Sequence, residues 1–423
     1  MTNDRKYTVK GFVVWGLCAI FFLFEFLLRT VMGTFQHPIM YDLELTTFQF
    51  SLLSTTMYLL VYGLMQIPVG LILDHHGLKK TLLIGAIACT ISVFGFAYAY
   101  QYWTAAAFRM LMGFGSSFGF ICLLFAVYDW MPSRNTGLFI GLSQFIGTMG
   151  PMLAAGPLEA ISHKSGVDWR SVFLSLGTFG IFLSIVIFLF VTNNQNQAGA
   201  YTILHRPESV SISIKRLFKR IQPWYIAIFS ACVYFSIEYL SENEGKTFLE
   251  AKGCSSSFAA YMITLSWLGY AIGCPLLGFL SDYFQRRKKI IMFAAICCTS
   301  AIATIVFVSN QQALIAAFFL LGIGASGQSV AFLLIAEQFQ KKYLALGLSM
   351  NNMAITTFAS LNAPALGWIL DRVQEGEQIT LANYHTAFSF MVGFVALSVL
   401  ISTLAVKETF CKSAMDFTYI NRR

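Results

Sequence analysis

The chain has 423 residues, of which 57% are hydrophobic and 16% aromatic, with 11% charged and a mean hydropathy of +0.67. A soluble domain carries about 25% charged residues, so this composition excludes an ordinary water-soluble enzyme or binding module and fits a polytopic membrane protein. The formal net charge of +8 does not point to nucleic acid, because the basic residues gather at alternate ends of apolar runs, which is an orientation signal.

Met1 to Lys10 is polar and basic, and the run that follows is too long for a signal-peptide core, so a retained first span is expected over about 11–35. Inside it, FFLFEFLLRT (Phe21–Thr30) sets Glu25 and Arg29 one helical turn apart. An ionised side chain at the bilayer centre costs roughly 2.5–3.5 kcal/mol, so both groups should face protein or a wet cavity, or pair along their own helix. Further spans are predicted at about 47–73, 81–100, 103–129, 136–161 and 170–192. The second closes on GLILDHHGLKK, which holds Gly70, Asp74, Gly77, Lys79 and Lys80. The fourth, FRMLMGFGSSFGF, carries Arg109 among small residues suited to close helix packing. Asp129 lies at its far end, and Gln144 falls in the fifth.

A polar connection, 193–222, divides residues 1–192 from 223–423. Its basic run, IKRLFKR, reads as a linker helix on the membrane face. Six more spans are predicted at about 223–243, 255–281, 289–309, 312–336, 343–370 and 384–406. Glu238 lies near the outer end of the seventh, and GFLSDYFQRRKK closes the eighth with Asp282 and Arg286. Gln328, Glu337 and Asn351 are polar groups of the tenth and eleventh. Asp74 and Asp282 stand 208 residues apart, close to half the chain, as duplication of a six-span unit would place them. The expected fold is all-α: twelve transmembrane helices in two pseudo-symmetric six-helix bundles.

With the N-terminus inside, 21 Lys and Arg fall on inner connections and five on outer ones, so both termini are expected in the cytoplasm. Nine cysteines lack metal-ligand spacing. No nucleophile–base pair stands out, so neither an enzyme nor a cofactor is expected.

The two span-closing stretches resemble the signature loop of the major facilitator superfamily. The first departs from it at His75 and Leu78, the second at Tyr283 and Gln285. Arg109-x-x-x-Gly113-x-Gly115 is similar to the superfamily's fourth-span motif, and Gly147, Gly150 and Pro151 match its antiporter pattern in part. More narrowly, FEFLLR, QIPVGLILDHHG and FRMLMGFGSSFGF resemble the phagosomal nutrient transporters of intracellular bacteria, relatives of the organic anion:cation symporters. The resemblance implies a monomer of the bacterial inner membrane, driven by the proton gradient and taking up a small carboxylated nutrient such as an amino acid, short peptide or organic acid. Proton-driven export of drugs or a carboxylate siderophore is the alternative.

On that reading Arg29 and Arg109, at similar depth, hold a substrate carboxylate, and Glu238 receives an ammonium group if the substrate is an amino acid or short peptide. Gln144, Gln328 and Asn351 add hydrogen bonds. Glu25, Asp129 and Glu337 are the candidate proton carriers. Gly70, Asp74, Gly77, Lys79, Lys80, Asp282 and Arg286 form the conformational gate, with Gly70 allowing close helix approach.

Overall fold

The computed structural model describes residues 7–132, 136–193, 220–339, 344–374 and 379–411. Its first half contains α1 (Val9–Thr34), α2 (Gln36–Asp42), α3 (Thr47–Ser51), α4 (Met57–Ala97), α5 (Tyr102–Ser116), α6 (Phe118–Trp130), α7 (Thr136–Ala154), α8 (Gly156–Ser165) and α9 (Trp169–Phe190). The second half contains α10 (Ile221–Glu242), α11 (Gly245–Ala251), α12 (Ser256–Tyr283), α13 (Arg287–Phe307), α14 (Gln311–Ala325), α15 (Gly327–Gln338), α16 (Leu344–Val373) and α17 (Leu381–Leu400). Among the described residues, eleven helical segments are long and apolar enough to cross a membrane. Residues 194–219 of the expected linker 193–222 lie outside the described residues, and with them all of the basic run IKRLFKR except Arg220.

Local chemistry sets the element ends. Thr8, Asp168, Ser255 and Asn310 each accept a backbone N–H in the first turn of the helix they precede, satisfying a donor that hydrocarbon could not. The predicted second and third spans join in one long helix, α4, interrupted at Gly77 with φ 75° and ψ 171°. That conformation suits glycine, and a Cβ there would meet the Asn193 side chain at 2.7 Å. The fourth and tenth spans both break at a serine, Ser117 and Ser326, an interval within one residue of that between the paired aspartates. The fifth span is not the single helix expected over 136–161: Ala155, at φ −85° and ψ −104°, separates α7 from α8.

The two halves meet firmly at one end. Asp371 of α16 accepts from the backbone N–H groups of Thr47 and Phe48 at 3.0 and 2.9 Å, capping α3 of the other half. Lys246 pairs with Glu159 at 2.8 Å, and Gly156 N donates to Thr264 Oγ1 at 2.8 Å. Backbones touch as well: a Cβ on Gly33 would fall 2.2 Å from the Ser241 carbonyl oxygen. At the opposite end, bonds such as Trp15 to Ser143, Arg287 to Glu337 and Lys288 to Glu408 stay within a half. There a Cβ on Gly70, Gly141 or Gly278 would meet nothing within 4 Å. Among the described residues, no hydrogen bond or ion pair joins the halves at this end, which is the sense in which it is parted, and the close helix approach expected at Gly70 is not seen there.

Candidate functional site

The central cavity is built from both halves. The first contributes Phe22, Glu25, Phe26 and Arg29 of α1, Tyr62 of α4, Phe120 of α6 and Gln144 of α7. The second contributes Tyr234 of α10, Tyr270 and Cys274 of α12, Gln328 and Ser329 of α15, and Asn352 of α16. Of the residues expected to bind substrate, Arg29, Gln144 and Gln328 line it, and Glu25 does so too. Hydroxyl and amide groups are already ordered around it. Tyr270 Oη donates to Gln328 Oε1 at 2.7 Å, and Asn352 Nδ2 donates to Gln66 Oε1 at 3.4 Å.

Arg29 is the cation of this wall, 9% exposed. It does not pair along its own helix. Its guanidinium crosses to α10, where it is ion-paired with Glu238 and, through Nε at 2.5 Å, with Glu242. The expected facing of Arg29 and Glu238 is thus a direct contact, and it takes Glu238 off the cavity wall: the carboxylate is 1% exposed and packed on the guanidinium. Glu25 instead accepts from Tyr58 Oη at 3.1 Å. Gly119 makes room for it, since a Cβ there would lie 2.9 Å from Glu25 Cγ.

Arg109 departs from the expected position. It is 0% exposed and donates to the carbonyls of Leu28 and Arg29 at 2.8 Å each and of Ser54 at 2.7 Å. Its guanidinium carbon also sits 4.5 Å from the centre of the Tyr58 ring. Ser54 belongs to a π-helical turn, Leu52–Thr56, an insertion that widens the ladder and recurs at functional sites. A buried guanidinium needs partners for its donors, and here three backbone carbonyls and Met112 Sδ, at 3.1 Å, take those of its two terminal nitrogens, while Nε makes no hydrogen bond. Arg109 therefore ties α5 to α1 and to the π turn, directly behind Arg29, and is not a second cavity guanidinium.

Other expected residues separate from the cavity. Asn351 is fully buried, and its neighbour Asn352 lines the wall in its place, because a step of one residue turns a helical side chain by about 100°. Glu337 accepts from Arg287 Nε at 3.0 Å and from Thr409, at the parted end of the second half. Arg287 also pairs with Asp282 at 2.6 Å. It is thus Arg287 that joins the eighth- and tenth-span carboxylates, whereas Arg286 lies over the Phe410 ring at 4.6 Å. Asp129 is buried one residue before the end of α6. Lys79 N donates to Asn193 Oδ1 at 2.9 Å, and Lys80 is exposed. The Asp74 side chain lies outside the described residues.

Sequence reasoning missed Glu242, Asn243 and Glu244. Asn243 Oδ1 accepts from Ser54 Oγ at 2.5 Å, and its Nδ2 donates to Thr55 Oγ1 at 2.9 Å. Glu244 accepts from Gln36, from Thr247 at 2.7 Å and from Tyr384 at 2.9 Å. The signal was the polar run SENEG directly after an apolar span, which reads as a solvated loop.

Two helical halves closed at one end around a polar cavity define the class: a polytopic membrane protein of transporter architecture. Residues 17–243 and 245–410 match the Major Facilitator Superfamily, and the chain belongs to that family. It is 23% identical over 298 residues to the "Probable L-galactonate transporter" of Escherichia coli (strain K12), covering 67% of this chain and 64% of that one. It is 21% identical over 284 residues to the "Hexuronate transporter" of Bacillus subtilis (strain 168), covering 64% and 65%. These matches therefore span less than two thirds of either relative's length. Its fold is similar to that of a bacterial homologue of the human lysosomal transporter Spinster, described as inward-facing and occupied. The TM-score is 0.71 at 16% identity, over 93% of this chain and 96% of that one.

Proposed function

We propose that the protein is a proton-coupled secondary transporter that takes up small hydroxylated carboxylates, of the sugar-acid class, by alternating access of its two halves. The observation that carries this reading is Arg29 at the wall of a cavity that sets tyrosine hydroxyls and side-chain amides among phenylalanines. A guanidinium offers a planar fork that matches a carboxylate, and hydroxyl and amide groups exchange hydrogen bonds with a polyol chain. Galactonate and hexuronates, named for the two curated relatives, are hydroxylated carboxylates. An amino-acid substrate fits less well, because Glu238, the expected partner of its ammonium group, is committed to Arg29.

Glu25 is the proposed proton carrier. It lines the cavity, and its carboxylate is held by a neutral phenol, so gain and loss of a proton can follow the state of the site. Asp129 and Glu337 are not retained in that role, since neither lines the cavity. The export reading rested on the partial fifth-span motif and on the many aromatics; within that motif Gly150 has a packing role, since a Cβ there would lie 2.4 Å from the Leu23 carbonyl oxygen. The parted end carries Lys79, Lys80, Arg286 and Lys288, which supports placing it in the cytoplasm, with the protein spanning a bacterial inner membrane as a monomer. No cofactor is called for.

A thermal-shift screen of hexuronates, aldonates, amino acids and dipeptides on the purified protein tests the substrate class, because preferential binding to the native state raises its melting temperature. Stabilisation by the sugar acids supports the proposal. Stabilisation by amino acids alone overturns it.

A further inference from the structure

Glu242, Asn243 and Glu244 are consecutive, at most 1% exposed, and each bonds side chains of the other half. Glu242 takes Arg29 and Thr55, Asn243 takes Ser54 and Thr55, and Glu244 takes Gln36. Three adjacent residues thus hold α1, α2 and the π turn at the end where the halves meet. The α10 helix ends at Glu242, and Asn243 has left helical geometry at φ −132° and ψ −117°, which turns these side chains across the gap. Arg29 is the one residue of this set that also lines the central cavity.

We propose that this turn is the latch of the closed end, and that Glu238 and Glu242 compete with the substrate carboxylate for the single guanidinium of Arg29. The competition rests on the carboxylate reading of the cavity; the latch does not. With the latch shut, Arg29 already faces two carboxylates, and a third would meet like charge at close range in a site largely shielded from water. The latched state is therefore the low-affinity state that gives substrate up through the parted end. Opening the latch withdraws Glu238 and Glu242 with α10 and leaves Arg29 free for a carboxylate arriving from the other side. One guanidinium then links the state of the gate to the affinity of the site, with Arg109 holding the backbone of Leu28 and Arg29 in place behind it.

The test compares full-length wild type, Glu242→Gln and Asn243→Ala in nanodiscs, each eluting as a single folded species. Hydrogen exchange is read on segments 28–36 and 239–250, and Arg29 is probed with phenylglyoxal and mass spectrometry. Loss of one such buried hydrogen bond corresponds to about a tenfold shift in the latch equilibrium, so both segments should exchange about tenfold faster in Glu242→Gln and, with two bonds removed, faster still in Asn243→Ala. Arg29 modification should rise in Glu242→Gln, and D-glucuronate should protect Arg29 there at about one-tenth the concentration needed in wild type. Unchanged exchange in both variants overturns the latch. Faster exchange with unchanged Arg29 modification overturns the competition. Glucuronate protection absent from every protein, with exchange accelerated, retains the latch and counts against the sugar-acid reading.

Discussion

Replacing Arg109 by methionine separates a backbone clamp from a substrate ligand. The guanidinium makes three hydrogen bonds of 2.7–2.8 Å to carbonyls of Leu28, Arg29 and Ser54. Methionine keeps much of the side chain's bulk and removes every donor. Leu28 and Arg29 lie within a helix whose ladder gives their carbonyls another partner, so each lost bond belongs at the modest end of the range. At about 1 kcal/mol per bond the total is about 3 kcal/mol. For a chain of this size, 1 kcal/mol moves the melting temperature by about 1 °C, so Arg109→Met should melt about 3 °C lower in detergent. Arg29→Gln should melt lower too, because it leaves the buried carboxylates of Glu238 and Glu242 without their cation, but unlike Arg109→Met it should also lose the stabilisation that a sugar acid confers. Scanning fluorimetry on both variants measures the contrast. An Arg109→Met protein that melts with wild type yet no longer binds a sugar acid would refute the clamp and restore Arg109 as a ligand.

Three further outcomes follow from the geometry. Asp371→Ala removes the carboxylate that caps α3 across the halves; a lost cap costs about 0.5–2 kcal/mol, and hydrogen exchange at 45–52 should quicken severalfold. Gly77→Ala forces an L side chain to φ 75° against Asn193, a strain of about 1–3 kcal/mol that should appear as a lower melting temperature. Glu25→Gln cannot take up a proton, so uptake should lose its dependence on an imposed pH gradient while exchange of internal for external substrate continues; uptake still driven by the gradient would remove Glu25 from the proton path.

Much of the architecture was legible because hydrocarbon imposes simple rules. Spans must be long, apolar and internally hydrogen-bonded, so hydropathy and basic flanks located them, and the repeat placed Asp282 against Asp74. Glu25, Arg29, Gln144 and Gln328 reached the cavity because polar groups at that depth have few other places to go. What the sequence hid depends on pairing across the halves. Arg29 and Glu242 are 213 residues apart, and SENEG carries no mark distinguishing a latch from a solvated turn. Arg109 was misplaced because its motif names a residue type, whereas its role depends on two carbonyls of α1 and one of a π turn, which no composition reveals. Tyr62, Tyr234 and Tyr270 passed unnoticed, since aromatics at helical spacing are more often core than cavity.

The central claim, that Arg29 anchors a carboxylate during proton-driven uptake, is tested most directly in proteoliposomes. Uptake of labelled D-glucuronate and L-galactonate is measured under an inward proton gradient for wild type and Arg29→Gln. Wild type should accumulate at least one of them above its external concentration and lose that accumulation with a protonophore, while Arg29→Gln, eluting as a single folded species, should take up neither. Accumulation by Arg29→Gln at the wild-type rate would contradict the account.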